Sequence, residues 1–191
     1  MCKIVYLTTK MFDKPAKSFR NSLADELRKR GVEVVTDTDN PFKKFFASHK
    51  TYGMAIAIDF FKDNGSGCGL TLNKHCSAIS REFAYSVSNN LDTLLPNMRW
   101  RDFKFVDSWD KQWRDFFYKV SSETKAIFYL CTYTNTEDLD GFLLAHDKLV
   151  RVFADEIVRC LRSNYDYKVY ARNARFARFK VRKYNNAQSN G

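Results

Sequence analysis

An α/β fold, with a mostly parallel sheet flanked by helices, is what this sequence predicts, and three observations carry the prediction. A short β-branched run, Lys3-Ile-Val-Tyr-Leu-Thr8, is followed by a helix-period stretch and a second such run, Val32-Glu-Val-Val-Thr36. Strand, helix, strand in that order implies a crossover and parallel pairing. Further on, Met54-Ala-Ile-Ala-Ile-Asp-Phe-Phe61 leads into a polar segment punctuated by Gly65, Gly67 and Gly69. That is how a buried parallel strand reads when its carboxyl end opens into a loop. Finally, 45% hydrophobic residues, with seventeen Phe and ten Tyr, can fill a substantial core, while seven Gly and three Pro are too few for a sandwich of many tight turns.

The elements follow in order. After the first strand, Pro15 opens a helix over about 16–30, with Phe19, Leu23 and Leu27 on one stripe. Gly31 stops it in the manner of a C′ residue. Asp37-Thr-Asp-Asn-Pro41 is turn chemistry, and 42–50 reads as a short helix feeding the long buried strand. Gly69-Leu-Thr-Leu72 is a further strand. Ser77 begins a helix running to about Leu95, with Ile79, Phe83, Val87, Leu91 and Leu94 on one face and Pro96 closing it. Residues 99–105 alternate basic and aromatic like a strand, and Trp109, Trp113, Phe116 and Phe117 fit a short amphipathic helix. Ala126-Ile-Phe-Tyr-Leu-Cys131 is a second buried strand. The last helix spans about 140–162, with Leu149, Phe153, Ile157 and Leu161 facing inward. The expected organisation is one α/β domain over 1–163 and a basic extension over 164–191 whose end is disordered.

Charge and cysteines narrow the setting. Of the formal net charge of +10, +7 lies from Cys160 onward: eight basic residues, Arg162, Lys168, Arg172, Arg175, Arg178, Lys180, Arg182 and Lys183, against Asp166 alone. Such a tail favours polyanions, nucleic acid above all, though it also aids solubility. Cys2, Cys68, Cys76, Cys131 and Cys160 are odd in number, scattered, and without CxxC spacing, which reads as free thiols in a reducing compartment. No apolar run reaches a membrane span of roughly 18–20 residues, and the first ten residues lack a signal-peptide pattern. The expectation is a cytoplasmic protein with no membrane association.

Several constellations compete with ordinary structural roles. His49, His75, His146, Cys68, Cys76 and Asp59 are candidate metal ligands, and His75-Cys76 with Cys68 would have to converge from one loop, in a spacing that matches no standard zinc pattern. Exposed histidines and buried thiols are the simpler account, and Cys131 is more naturally a core residue than a nucleophile. Gly65-Ser-Gly-Cys-Gly69 lacks the lysine and hydroxyl of a phosphate loop and reads as a turn. Arg99, Trp100, Arg101, Trp109 and Trp113 mark a possible interface, since three Trp in so short a stretch are hard to bury together. In the tail, Lys168, Arg172, Arg175 and Arg178 step by three or four, and Arg178, Lys180 and Arg182 alternate with apolar residues. Interleaved with Tyr170, Phe176 and Phe179, these cations with Lys183 suit phosphate contacts and base stacking.

The segment Asn21-Ser-Leu-Ala-Asp-Glu-Leu-Arg-Lys-Arg-Gly-Val-Glu-Val-Val-Thr36, the strand ending in Asp59 with its glycine loop, Arg99 and Arg101 after the long helix, and Ala126-Ile-Phe-Tyr-Leu-Cys-Thr-Tyr-Thr-Asn135 occur in a recognisable order. In this order the chain resembles the zinc-dependent N-acetylmuramoyl-L-alanine amidases of bacterial autolysins and phage endolysins, over about 3–161. The resemblance implies an amidase-like α/β fold. It also implies a zinc held by His, Glu and His with an open position for water, and a further Glu as general base. Matched residue by residue, this chain departs from that set. The first strand runs into Leu7-Thr-Thr-Lys10 without a His, and Lys17 and Ser18 stand where the ligand Glu belongs. Asp59 replaces the second His, and Tyr129, Leu130 or Cys131 stands where the catalytic Glu belongs.

The expectation from the residues together is a non-catalytic binding protein on a degenerate amidase-like scaffold, with no metal and no cofactor. Lys17, Asp59 and Cys131 would mark the degenerate cleft, and the basic tail would bind nucleic acid or a nucleic-acid-bound protein. A phage-encoded inhibitor of a host defence nuclease complex, in the host cytoplasm, fits that setting by analogy. The alternatives are an active metal-dependent hydrolase with rearranged ligands and an oligomeric structural protein using the 100–117 region. A protein partner suits either binding reading.

Overall fold

A computed structural model describes residues 4–9, 14–36, 52–61, 67–98, 103–106, 122–131 and 136–162. Among them are six strands and three helices: β1 (Ile4–Thr9), α1 (Lys14–Lys29), β2 (Glu33–Thr36), β3 (Tyr52–Phe61), β4 (Gly67–Asn73), α2 (Ala78–Leu94), β5 (Phe103–Val106), β6 (Ser122–Cys131) and α3 (Thr136–Arg162). The expected helices at 42–50 and around Trp109 and Trp113 lie outside the described residues, as does the chain beyond Arg162.

The strands form one sheet in the order β2-β1-β3-β6-β4-β5. Parallel pairing holds β2, β1, β3 and β6 together, as the β-α-β reading requires. β4 runs antiparallel to β6, and β5 parallel to β4, so two of the six strands point the other way. The short link between Phe61 and Gly67 explains the reversal. A parallel connection needs a crossover of about a dozen residues. With five residues between them, β3 and β4 run in opposite directions, and β6 lies between the two.

α1 ends as its sequence dictates. Gly31 takes φ 77°, its N–H donates to the Arg28 carbonyl at 2.9 Å, and the Val32 N–H donates to the Leu27 carbonyl at 3.1 Å. These are the paired bonds of a Schellman cap, in which the left-handed position favours glycine. α2 opens on Ser77, whose hydroxyl accepts from the Ser80 amide at 3.2 Å. α3 begins at Thr136, one turn earlier than the apolar periodicity suggests. β4 starts at Gly67 and β6 at Ser122, both earlier than expected, and β5 takes in Phe103 to Phe105 of the 99–105 stretch together with Val106.

The described helices share one core with one face of the sheet. Val5 and Leu7 of β1, Met54, Ile56, Ile58 and Phe60 of β3, and Cys68, Leu70 and Leu72 of β4 are buried there. Over them lie Phe19, Leu23 and Leu27 of α1, Phe83, Val87 and Leu91 of α2, and Leu149, Phe153, Ile157 and Leu161 of α3. Phe153 meets Phe19 edge-on at 5.5 Å between centroids and Phe83 at 6.1 Å, so α3 touches both other helices. Ion pairs brace both seams. Arg30 at the end of α1 bonds Asp155, and Arg159 bonds Glu82 of α2 at 2.5 Å. Burial works against the charge on Arg159, but Glu82 and Glu156 outweigh it and hold its pKa above the ordinary arginine value.

Candidate functional site

Sites in open α/β sheets gather outside the carboxyl ends of the parallel strands. Here β1 ends at Thr9, paired with Ile58, so β3 runs on past it through Asp59 to Phe61. Asp59 stands in register with Tyr129 of β6, which in turn pairs with Gly69 of β4. Two residues further along, Cys131 lies between Phe61 and Gly67. The register therefore brings Asp59 and Cys131 to the same end of adjacent strands.

Asp59 is not open to solvent: it is 1% exposed, and Thr8 and Thr9 beside it are also buried. A carboxylate at that depth requires polar company, and Asp59 is engaged within the fold. Strand alternation turns Asp59 to the face opposite Phe60. Phe60 points into the helical layer, where it meets Phe142 of α3 at 5.1 Å. Lys17, half-buried in the first turns of α1, belongs to that helical layer, whereas Asp59 belongs to the other face.

The glycine-punctuated stretch has a specific structural partner. The Gly67 N–H, at a residue with φ 114°, donates to the Asp138 carboxylate at 2.8 Å, and Asp138 is itself buried. A carboxylate in the first turn of α3 suits the positive end of the helix. Sequence reasoning missed this residue by starting the helix at Asp140. The available signal was the polar run Thr136-Glu-Asp138, a favourable helix opening.

On the outer side of the helical layer a groove of about 500 Å³ is lined by Ser18 of α1 and by Leu143, Leu144, His146, Asp147, Lys148 and Arg151 of α3. His146 lies edge-on to Phe19 and Phe142, with centroids at 5.8 and 6.3 Å. Its Nδ1 is 3.0 Å from Asp147 Oδ1. The hydrogen bond from His146, with Arg151 nearby, holds the Asp147 carboxyl below its usual range. His146 Nε2 is buried and takes no hydrogen-bond partner among the described residues, Ser18 included.

A third locus is the corner where β4 turns into α2. Lys74 and His75 are exposed there, and the Lys74 N–H donates to the Val106 carbonyl of β5 at 2.9 Å. Arg81 donates to the Lys74 carbonyl at 3.2 Å and sets its guanidinium over the Phe105 ring at 5.6 Å. Burial raises the Cys76 thiol pKa, and Arg81 beside it only partly offsets the rise. Cys68, by contrast, is buried in the core at the far end of β4. At about 3.3 Å per residue the strand separates Cys68 from His75 and Cys76 by roughly 20 Å, so the three do not converge as one metal site. No three His, Cys, Asp or Glu side chains gather as a metal-binding group among the described residues. Arg99, Trp100, Arg101, Trp109, Trp113 and the tail cations Lys168, Arg172, Arg175, Arg178, Lys180, Arg182 and Lys183 lie outside those residues.

The catalytic domain of the CD27L endolysin targeting Clostridia difficile superposes with a TM-score of 0.58 at 17% identity, covering 82% of this chain and 97% of that one. An N-acetylmuramoyl-L-alanine amidase from Clostridium difficile 630 gives 0.54 at 11%, covering 86% and 99%. The fold is amidase-like. The CwlD amidase from Clostridioides difficile, solved in complex with the GerS lipoprotein, gives 0.55 at 14%, covering 83% and 98%. No protein-family model and no curated protein sequence matches the chain. At these identities the likeness is one of fold. It agrees with the order of elements that the sequence resemblance rested on. No helix among the described residues is long and apolar enough to cross a membrane.

Proposed function

We propose that this chain is a binding protein that uses an amidase-like scaffold without its zinc chemistry, and that its ligand is nucleic acid or a nucleoprotein. The observation that carries the first half is Asp59. The strand end that resembles the amidases' second His position bears a carboxylate, sealed at 1% exposure and engaged within the fold. Beside it β1 ends in Thr8-Thr9, and the first turns of α1 carry Lys17 and Ser18. One carboxylate with threonines, a lysine and a serine does not fit a zinc that requires three strong ligands and an open position. The second half rests on charge: +10 over the chain, with +7 of it after Cys160, suits a polyanion. The protein complex of CwlD with GerS sets a precedent for this scaffold engaging a protein, and a nucleoprotein would satisfy both features.

The test is elemental analysis of the purified protein together with assay on muramoyl-peptide substrate. The expected result is no stoichiometric zinc, no hydrolysis, and oligonucleotide binding that weakens steeply with salt. One zinc per chain, with hydrolysis lost on chelation, would overturn the reading in favour of an active hydrolase with rearranged ligands.

A further inference from the structure

The side of α3 turned away from the core carries a pattern that the fold does not use. Phe142, Leu149, Phe153 and Ile157 bury one face of the helix. On the opposite face Asp140, Leu144, Lys148 and Arg151 follow one another at steps of four, four and three, which makes a single stripe. Leu144 is 89% exposed, more than any other large apolar side chain among the described residues. Leu143 beside it is 51% exposed, and both line the groove shared with Ser18 of α1. Asp140 and Lys148, one turn before and one turn after Leu144, are exposed, and neither takes a hydrogen bond or ion pair among the described residues.

The order of charges along this stripe is self-complementary. It reads acid, leucine, base, and end to end in reverse it reads base, leucine, acid. Two copies of α3 laid antiparallel about Leu144 set each Asp140 opposite the partner's Lys148. The same register sets position 137, a glutamate in the sequence, opposite position 151, an arginine. A parallel, in-register pairing would instead set acid on acid and base on base. The other charges nearby leave this pattern intact. Asp147 is answered within α3 by His146 and Arg151, and Asp155, further along the stripe, is taken by Arg30. Lys14 and Lys17, within a turn of Ser18 on α1, add cations beside the groove, so the surface carries both signs. Such a surface is mismatched to nucleic acid and to an anionic membrane, both of which repel Asp140 and Asp147. It is equally mismatched to a peptide of one sign. It matches a partner bearing the same mixed order reversed, which a second copy supplies by symmetry.

We propose that the outer face of α3 is a self-association surface, through which two copies of this chain pair antiparallel about Leu144 as a two-fold dimer. Each Leu144 enters the partner's groove, and reciprocal Asp140–Lys148 pairs close the two ends. The contact is small, so the dimer forms and dissociates with concentration. The inference is independent of the nucleic-acid reading.

Sedimentation equilibrium of the full chain, freed of nucleic acid, over a concentration series tests it, with thermal melts to confirm folding. The wild type is expected to pass from monomer to dimer as concentration rises to millimolar. Leu144→Asp, at a site open enough to accept it, is expected to weaken dimerisation by about a hundredfold or more. Asp140→Lys and Lys148→Asp each set like charges together at both ends, and each is expected to weaken it by about tenfold. An equimolar mixture of these two variants restores both pairs in a mixed dimer and is expected to recover the wild-type affinity, which misfolded variants could not do. A wild type that stays monomeric at millimolar concentration overturns the proposal. A dimer that Leu144→Asp leaves unchanged overturns it by placing association on another surface. Charge variants that weaken the dimer but do not recover on mixing overturn the antiparallel register, and the proposal with it.

Discussion

The two faces of the sheet are buried alike and built differently. On the helical face the alternate side chains of β1, β3 and β4 are Val5, Leu7, Met54, Ile56, Ile58, Phe60, Leu70 and Leu72. On the other face the intervening positions are Tyr6, Thr8, Ala55, Ala57, Asp59, Gly69 and Thr71, equally removed from solvent. The first face gains stability from burial alone, since each large side chain contributes about 1.5–3 kcal/mol when taken out of water. The second combines small residues with hydroxyls and a carboxylate, groups that cost free energy to bury unless satisfied. A protein that needed only a stable sheet would have little reason for the second arrangement. The contrast separates a face that holds the fold by apolar burial from a face whose buried polar groups must be satisfied.

Three measurements test that contrast. The largest effect belongs to the helical face. Phe153→Ala removes the ring that links α3 to both Phe19 and Phe83, and is expected to cost about 3–5 kcal/mol in denaturant unfolding. A loss under about 1 kcal/mol would show that the helices are not held through this residue. A smaller effect is expected at the strand ends. Asp138→Ala leaves the buried Gly67 N–H without its carboxylate and should cost about 1–3 kcal/mol. If it matched Phe153→Ala in size, the polar strand end would be as structural as the apolar core, and the separation of roles would fail.

The smallest effect at neutral pH, and the most specific, concerns Cys160. Burial among apolar residues pushes its thiol up to about 12 from an ordinary value of 9.0. With a folded pKa above the unfolded one, the neutral thiol's contribution is complete below pH 9 and is lost as pH rises toward 12. Stability measured by urea titration should therefore decline over that window, and Cys160→Ala should flatten the decline. An unchanged decline in the variant would assign the alkaline loss to other groups.

Much of the fold was legible in the sequence because its signals are local. The i, i+4 stripe of Phe19, Leu23 and Leu27, the Gly31 stop and the Ser77 cap each act over one or two helical turns, and all three took their expected places. The parallel β1-β2 pairing followed from the crossover rule, and the element order carried enough of the family resemblance to anticipate an amidase-like fold. The composition of the strand end at Asp59 was also plain from residue types alone.

What tertiary structure decided is non-local. That β6 enters between β3 and β4, and that β4 and β5 run against the other strands, depends on which chain segments meet late in the sequence, a choice no residue pattern encodes locally. Partners drawn from distant segments were hidden for the same reason: Asp138 receiving Gly67, and Glu82 and Asp155 bracing the two seams of α3. The corner joining Arg81 to Phe105 likewise exists only once β5 has paired with β4. Sequence alone set the chemistry available at each position, because side chains are given directly. Folding set which chemistries became neighbours, because hydrogen bonds, ion pairs and ring contacts form across a few ångströms of space however far apart their residues lie along the chain.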